Sequence, residues 1–204
     1  MTAGRAPAAR TDLEMDMFIQ TETTPNPATL KFLPGRVVME AGNADFRSAD
    51  DAIVSPLATR LFAVPGVEGV MFGYDFVAVT KGEPEWQHLK PAILGAIMEH
   101  FLSGAPVMAE GASPAIDPGS DEEFFDEGDE TIVATIKELL ETRVRPAVAQ
   151  DGGDITFRGY REGTVFLNMK GACSGCPSST ATLKHGVQNL LHHFVPEVRE
   201  VEAV

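Results

Sequence analysis

Apolar positions along the chain fall into two groups of short elements, separated by a stretch with no apolar period. In the first group, "MFIQTE" and "TLKFLP" predict two strands joined by the turn-forming "TTPNPA". Ser55 then predicts a helix N-cap with Pro56 in the first turn, Leu57, Leu61 and Val64 facing inward, and Pro65–Gly66 as the stop. "VEGVMF" and "FVAVT" flank Gly73, Tyr74 and Asp75 and read as a hairpin. From about Pro84, Trp86, Leu89, Ile93, Ile97 and Phe101 recur at helical spacing until Gly104 ends the run. The order is ββαββα, and the Trp and Phe stripe reads as core.

The second group opens with "ETIVATIKELLETRV", an amphipathic helix with Ile132, Ile136, Leu139 and Arg143 or Val144 near one stripe, whose end Pro146 disturbs. "QDGGD" reads as a tight turn in which Asp151 and Asp154 serve as turn and capping residues. "ITFRGY" and "TVFLNMK" form a hairpin over Arg161, Glu162 and Gly163, with Val165, Leu167 and Met169 alternating onto one face. A helix starting near Pro177 buries Leu183, Val187, Leu190 and Phe194 and stops before Pro196; "EVREVEAV" closes as a short strand. The order is αββαβ. The fold class is therefore α+β, two small α/β sandwich-like domains joined by an acidic flexible linker. The expected bounds are a leader at 1–16, a first domain at 17–103, the linker at 104–129 and a second domain at 130–204.

Charge supports that division. The net charge is −14, yet residues 104–130 hold 9 acidic and no basic side chains, whereas 131–204 hold 8 of each. This acidic, Gly- and Pro-containing stretch reads as a solvated spacer, within which Phe124 and Phe125 stand out as a small candidate docking motif. No basic patch points to nucleic acid, and no apolar run approaches the ~20 residues of a membrane span. The segment before Met17, an alternative start, lacks the apolar core of a secretory signal. Its Asp12, Glu14 and Asp16 fit a transit peptide poorly. Two cysteines without a signal point to a reducing compartment, expected to be the cytoplasm.

Those two cysteines, Cys173 and Cys176 of "GACSGCPSST", carry the candidate chemistry. Pro177 suits the first position of a helix, so Cys176 lies at a positive dipole end, where thiol pKa values fall and two thiolates can stand side by side. A disulfide closing so short a loop constrains little. Zinc needs four ligands, and His185 lies ~12 Å along the helix axis from its start, so His185, His192 and His193 cannot join the pair within one chain. Zinc shared between two chains and a redox dithiol remain open. A thioredoxin-like fold, however, carries more strands after its CxxC helix than the one left here. Half of an iron–sulfur site is the remaining reading: a [4Fe–4S] cluster takes four thiolates, and a two-fold dimer supplies Cys173 and Cys176 twice. Gly175 and Ser178 are candidates for hydrogen bonds to the sulfurs, and Lys170 reads as a solvated strand-end lysine. In the first domain, His88 and His100, ~18 Å apart on one helix, read as surface residues.

"RPAVAQDGGDITF", "VFLNMKGACSGCPSSTATLKHGVQNLL" and "VPEVREVEAV" together closely resemble the NifU-like C-terminal domain, an iron–sulfur scaffold and carrier module, over about 75 residues. "MFIQTETTPNPATLKFLPGR" resembles the N-terminal domain of Nfu proteins. The C-terminal motif shows no departure; residues 1–16 and the acidic stretch are unmatched. The resemblance implies a scaffold or carrier and not an enzyme. It also implies a homodimer bridged by a cluster on Cys173 and Cys176, supplied by upstream donors and handed to apo-proteins.

Overall fold

The computed structural model describes residues 18–109, 111, 123–174 and 177–204. The leader, the middle of the acidic stretch, Gly175 and Cys176 lie outside them. The architecture is α+β. In the first half, β1 (Gln20–Thr23), β2 (Thr29–Leu33) and β3 (Ala44–Phe46) precede α1 (Pro56–Phe62). The hairpin of β4 (Val67–Phe72) and β5 (Val77–Lys81) leads into α2 (Trp86–Ser103). The strands pair antiparallel in the order β1-β2-β5-β4-β3. The edge strand β3 is absent from the predicted order because three residues are too few to show alternation.

Strand alternation gives this sheet two faces. Phe32, Val70, Phe72, Val77 and Val79 turn toward Leu57, Leu61, Leu89, Ile93 and Ile97 of the two helices. Lys31, Met71 and Ala78 turn the other way, and Met71 and Ala78 join Phe76, Leu33 and Ala149 of the second half in a small separate cluster. Ser55 caps α1 as predicted: its Oγ accepts from the Ala58 N–H at 3.1 Å and donates to the Val107 carbonyl at 2.6 Å. Residues just after α2 are thereby stitched to the first core, and the Ala109 N–H adds a bond to Val54 at 2.9 Å.

The second half runs α3 (Glu130–Leu139), a π-helical turn (Leu140–Val144), α4 (Arg145–Gln150), β6 (Gly153–Arg161), β7 (Thr164–Gly171), α5 (Pro177–Phe194) and β8 (Glu200–Ala203). Pro146 was expected to disturb the helix end. The helical path instead widens by one residue and continues to Gln150. The wider turn makes room for a ring that lacks an N–H and would crowd the preceding turn. β6 and β7 pair antiparallel, and β8 returns parallel to β7 after the α5 crossover. Ile136, Leu140, Ile155, Leu167, Leu191 and Val201 fill the core between helices and sheet. Along α5 the buried stripe steps by four, through Val187 and Leu191 to Val195 just past its end, which leaves Phe194 45% exposed beneath the Arg143 guanidinium.

The two phenylalanines of the acidic stretch part company. Phe124 bridges to Gly159 at the bulge of β6; its carbonyl accepts from the Tyr160 N–H at 2.8 Å. Its ring takes the space a side chain at position 159 would need, 5.1 Å from the Phe166 ring. Phe124 is thus a strap across the second sheet, and Phe125 is the exposed partner.

His100 corrects the surface reading. It lies three residues past Ile97 on the same stripe and is 0% exposed, and neither ring nitrogen finds a partner among the described residues. Burial, aided by the charge of Arg60, pushes its pKa below the usual 6.5. The unfolded chain therefore binds this proton more readily than the folded one. Stability is fully present above pH ~6.5 and declines as pH falls through that value toward the lower folded pKa. His100→Leu is expected to flatten the decline between pH 7 and pH 5, measured as denaturant midpoints; identical slopes in both proteins would contradict a buried neutral imidazole.

Candidate functional site

The cysteine loop is held at its base by backbone. The Ala172 N–H donates to the Gly152 carbonyl and the Ser174 N–H to the Gly171 carbonyl, each at 3.1 Å. Ser174 Oγ donates to Gly171 at 2.9 Å, and Thr180 Oγ1 reaches back from the first turns of α5 to the Cys173 carbonyl at 3.0 Å. Gly171 has φ +62°, a conformation side chains rarely adopt. A Cβ there would also overlap Met71 Sδ of the first sheet.

Cys173 is 6% exposed and belongs to the second core. Its Sγ rests on Gly153: a Cβ at that position would overlap the sulfur and press on the Lys170 carbonyl. The second glycine of DGGD is thus the seat of the sulfur. Burial, with added repulsion from Asp151 and Asp154, pushes the Cys173 thiol up to about 12. The expected pair of thiolates is not what this conformation holds at Cys173. The sulfur sits in an apolar core beside two carboxylates, and both effects oppose its ionisation. The expectations on Gly175, Cys176 and the Ser178 side chain fall outside the described residues.

Asp151 ends α4 in the predicted turn, its N–H bonded to Val148 at 3.1 Å. Asp154 is different. It lies in β6, 2% exposed, and accepts from Arg145 Nε at 2.8 Å and Nη2 at 3.1 Å, while Arg145 Nη1 donates to Glu141 at 2.6 Å. This fork ties α4 to the strand that seats the sulfur. Arg145 is the site residue that sequence reasoning missed; its signal was a charged residue next to a proline within an amphipathic stripe. Of the histidines on α5, His192 Nδ1 lies 2.7 Å from the Val198 carbonyl, and the His193 ring meets Phe194 edge-on. Among the described residues no three or more His, Cys, Asp or Glu side chains gather as a metal site.

The first half reaches the same loop. Asn26 Nδ2 donates to the Ser174 carbonyl at 3.1 Å and Lys31 Nζ to the Gln150 carbonyl at 3.0 Å. Burial raises the pKa of Asp45, opposed by Arg47 and, across the domain contact, by Lys170 and the Gly171 backbone.

Arg145→Met strands the Asp154 carboxylate without its counter-ion and is expected to lower stability by about 3 kcal/mol, read as a shift in the urea midpoint. A loss below about 1 kcal/mol, the range of exposed pairs, would refute the structural weight given to the fork. Gly153→Ala is expected to displace Cys173 and to raise its reactivity toward alkylating reagents; an unchanged rate would show that the sulfur has no seat there.

Two family models match the chain: the scaffold protein Nfu/NifU N-terminal domain over residues 19–104 and the NifU-like domain over residues 136–202. The chain is 52% identical over 190 residues to the "NFU1 iron-sulfur cluster scaffold homolog, mitochondrial" of Drosophila erecta, covering 92% of this chain and 65% of that protein. It is 48% identical over 190 residues to the protein of the same name from Homo sapiens, covering 92% and 72%. The chain therefore spans about 65% of the length of the Drosophila relatives. A solved NifU-like protein from Saccharomyces cerevisiae aligns over 54% of this chain and 99% of its own, with a TM-score of 0.44 and 26% identity. The names of the relatives place them in mitochondria, which overturns the cytoplasmic expectation. Two cysteines in a chain point to a reducing compartment without saying which one. By the extent of these matches, the chain belongs to the Nfu family of iron–sulfur cluster scaffold proteins.

Proposed function

We propose that the protein is an iron–sulfur cluster scaffold and carrier. Two copies hold a labile [4Fe–4S] cluster through Cys173 and Cys176 of each, receive it from upstream donors and pass it to apo-proteins. The observation that carries this reading is the cysteine pair itself. A chain of this family owns two cysteines, three positions apart, at the junction of β7 and α5. One chain offers two thiolates where a cluster takes four, so a two-fold partner completes the set.

The cluster is cargo. Transfer proceeds by exchange: a client thiol binds iron as it gives up a proton, and the displaced carrier thiolate takes one up. Iron and sulfide keep their oxidation level, so the role is carriage and not catalysis. Loading requires the Cys173 sulfur to leave Gly153, a movement that the Arg145–Asp154 fork need not follow. In this reading residues 130–204 form the cluster domain, and residues 17–103 act on its access and on the choice of clients or donors.

Anaerobic reconstitution with iron and sulfide tests the proposal. The expected yield is ~4 Fe and ~4 sulfide per dimer, with a monomer-to-dimer shift in size on loading; Cys173→Ser is expected to abolish both. Loaded protein that stays monomeric with its full sulfide would overturn the shared site. Turnover of disulfide substrates by metal-free monomer would favour a dithiol enzyme, and binding of zinc without sulfide a zinc module.

A further inference from the structure

Asn26 is built to make one long-range bond. It lies in the turn between β1 and β2 and is 2% exposed. Its Oδ1 accepts from the Ala28 N–H at 3.0 Å, which leaves Nδ2 facing the other way. Thr24 braces the turn: Oγ1 accepts from the Asn26 N–H at 3.2 Å and lies 2.9 Å and 3.0 Å from the carbonyls of Asn26 and Thr29. With its orientation set on both sides, Nδ2 donates to the carbonyl of Ser174, 148 positions along the chain and next to Cys173.

Further contacts between the halves fall on the two segments that seat the sulfur. Lys31 Nζ holds the Gln150 carbonyl just before the DGGD turn. Gly152 faces the side chains of Lys31, Thr24 and Ala78, which a Cβ there would just touch, and a Cβ at Gly171 would overlap Met71 Sδ. Residues 150–152 and 171–174 are thus both gripped from the first sheet. The carbonyls of Cys173 and Ser174, in two successive peptides, are held by Thr180 and by Asn26 respectively. Among the described residues the buried apolar cluster across the contact is small, Leu33, Met71, Phe76 and Ala78 with Ala149, and domain contacts of modest size within one chain open readily.

We propose that Asn26 is a latch: through the Ser174 carbonyl it makes the docked first domain hold the cysteine loop closed, with Cys173 turned into the core, so that this thiol becomes available only when the two halves part. The consequence for cluster loading and release rests on the carrier reading; the closure of the loop does not.

The test uses the 204-residue apo-protein carrying Cys176→Ser, which leaves Cys173 as its one thiol. Asn26→Asp keeps the oxygen that accepts from Ala28 but has nothing to donate to Ser174. Labelling of Cys173 by N-ethylmaleimide under native conditions is expected to accelerate at least tenfold, with the circular dichroism spectrum unchanged. A rate within twofold of the parent overturns the latch. If Asn26→Asp does not fold, Lys31→Gln, which releases the Gln150 carbonyl from the far end of the same contact, decides by the same criterion. With Cys176 restored, Asn26→Asp is also expected to take up iron and sulfide faster than the parent. Failure of both proteins to take up a cluster would sink the carrier reading and leave the labelling result to decide the latch alone.

Discussion

A sulfur atom resting on the backbone of a glycine is the contact on which the rest of the site depends. Gly153 can seat Cys173 because it lacks a side chain, and the seat stays in place because Asp154, the next residue, is forked by Arg145 from the helix behind it. A π-helical turn over Leu140–Val144 sets the phase of that helix, absorbing Pro146 and delivering Arg145 to the strand. The proline, the arginine, the acid–glycine–glycine–acid turn and the cysteine loop form one mechanical unit. A change to any of them reaches the sulfur through the others.

The two halves cooperate through the sheet face that the first core leaves free. A sheet with helices on one side must cover or solvate its other side. Here the strands place Met71, Ala78 and a buried lysine there, a mixture too polar for a permanent core. Gly171 of the second half approaches Met71 more closely than a side chain would allow, and Gly152 faces Lys31 and Ala78. The residues that let the cysteine loop curl also let the other domain approach it. Site geometry and domain docking therefore use the same positions.

Much of the fold was legible because it rests on period and punctuation. The Ser55 cap, the Gly104 stop, the alternation of Val165, Leu167 and Met169, and the β7–loop–α5 order all follow from local preferences that tertiary contacts reinforce. The misreadings share a cause. His100 was placed by polarity when its position on the stripe decided its burial. Pro146 reads as disturbing the helix end, and it does so through a widened turn that carries the helix past it. Phe124 looked like a free motif because its receptor, the missing side chain of Gly159, lies in another element.

By itself the sequence determined most of the elements, the two-part organisation and the place of the two thiols, because each is written in neighbouring residues and their spacing; the three-residue β3 and the turn past Pro146 were not among them. Tertiary structure alone decided the state of Cys173, the partner of Asp154 and the bond from Asn26 to Ser174. Burial and ion pairing arise from residues brought together by folding, and a bond spanning 148 positions leaves no local pattern to read.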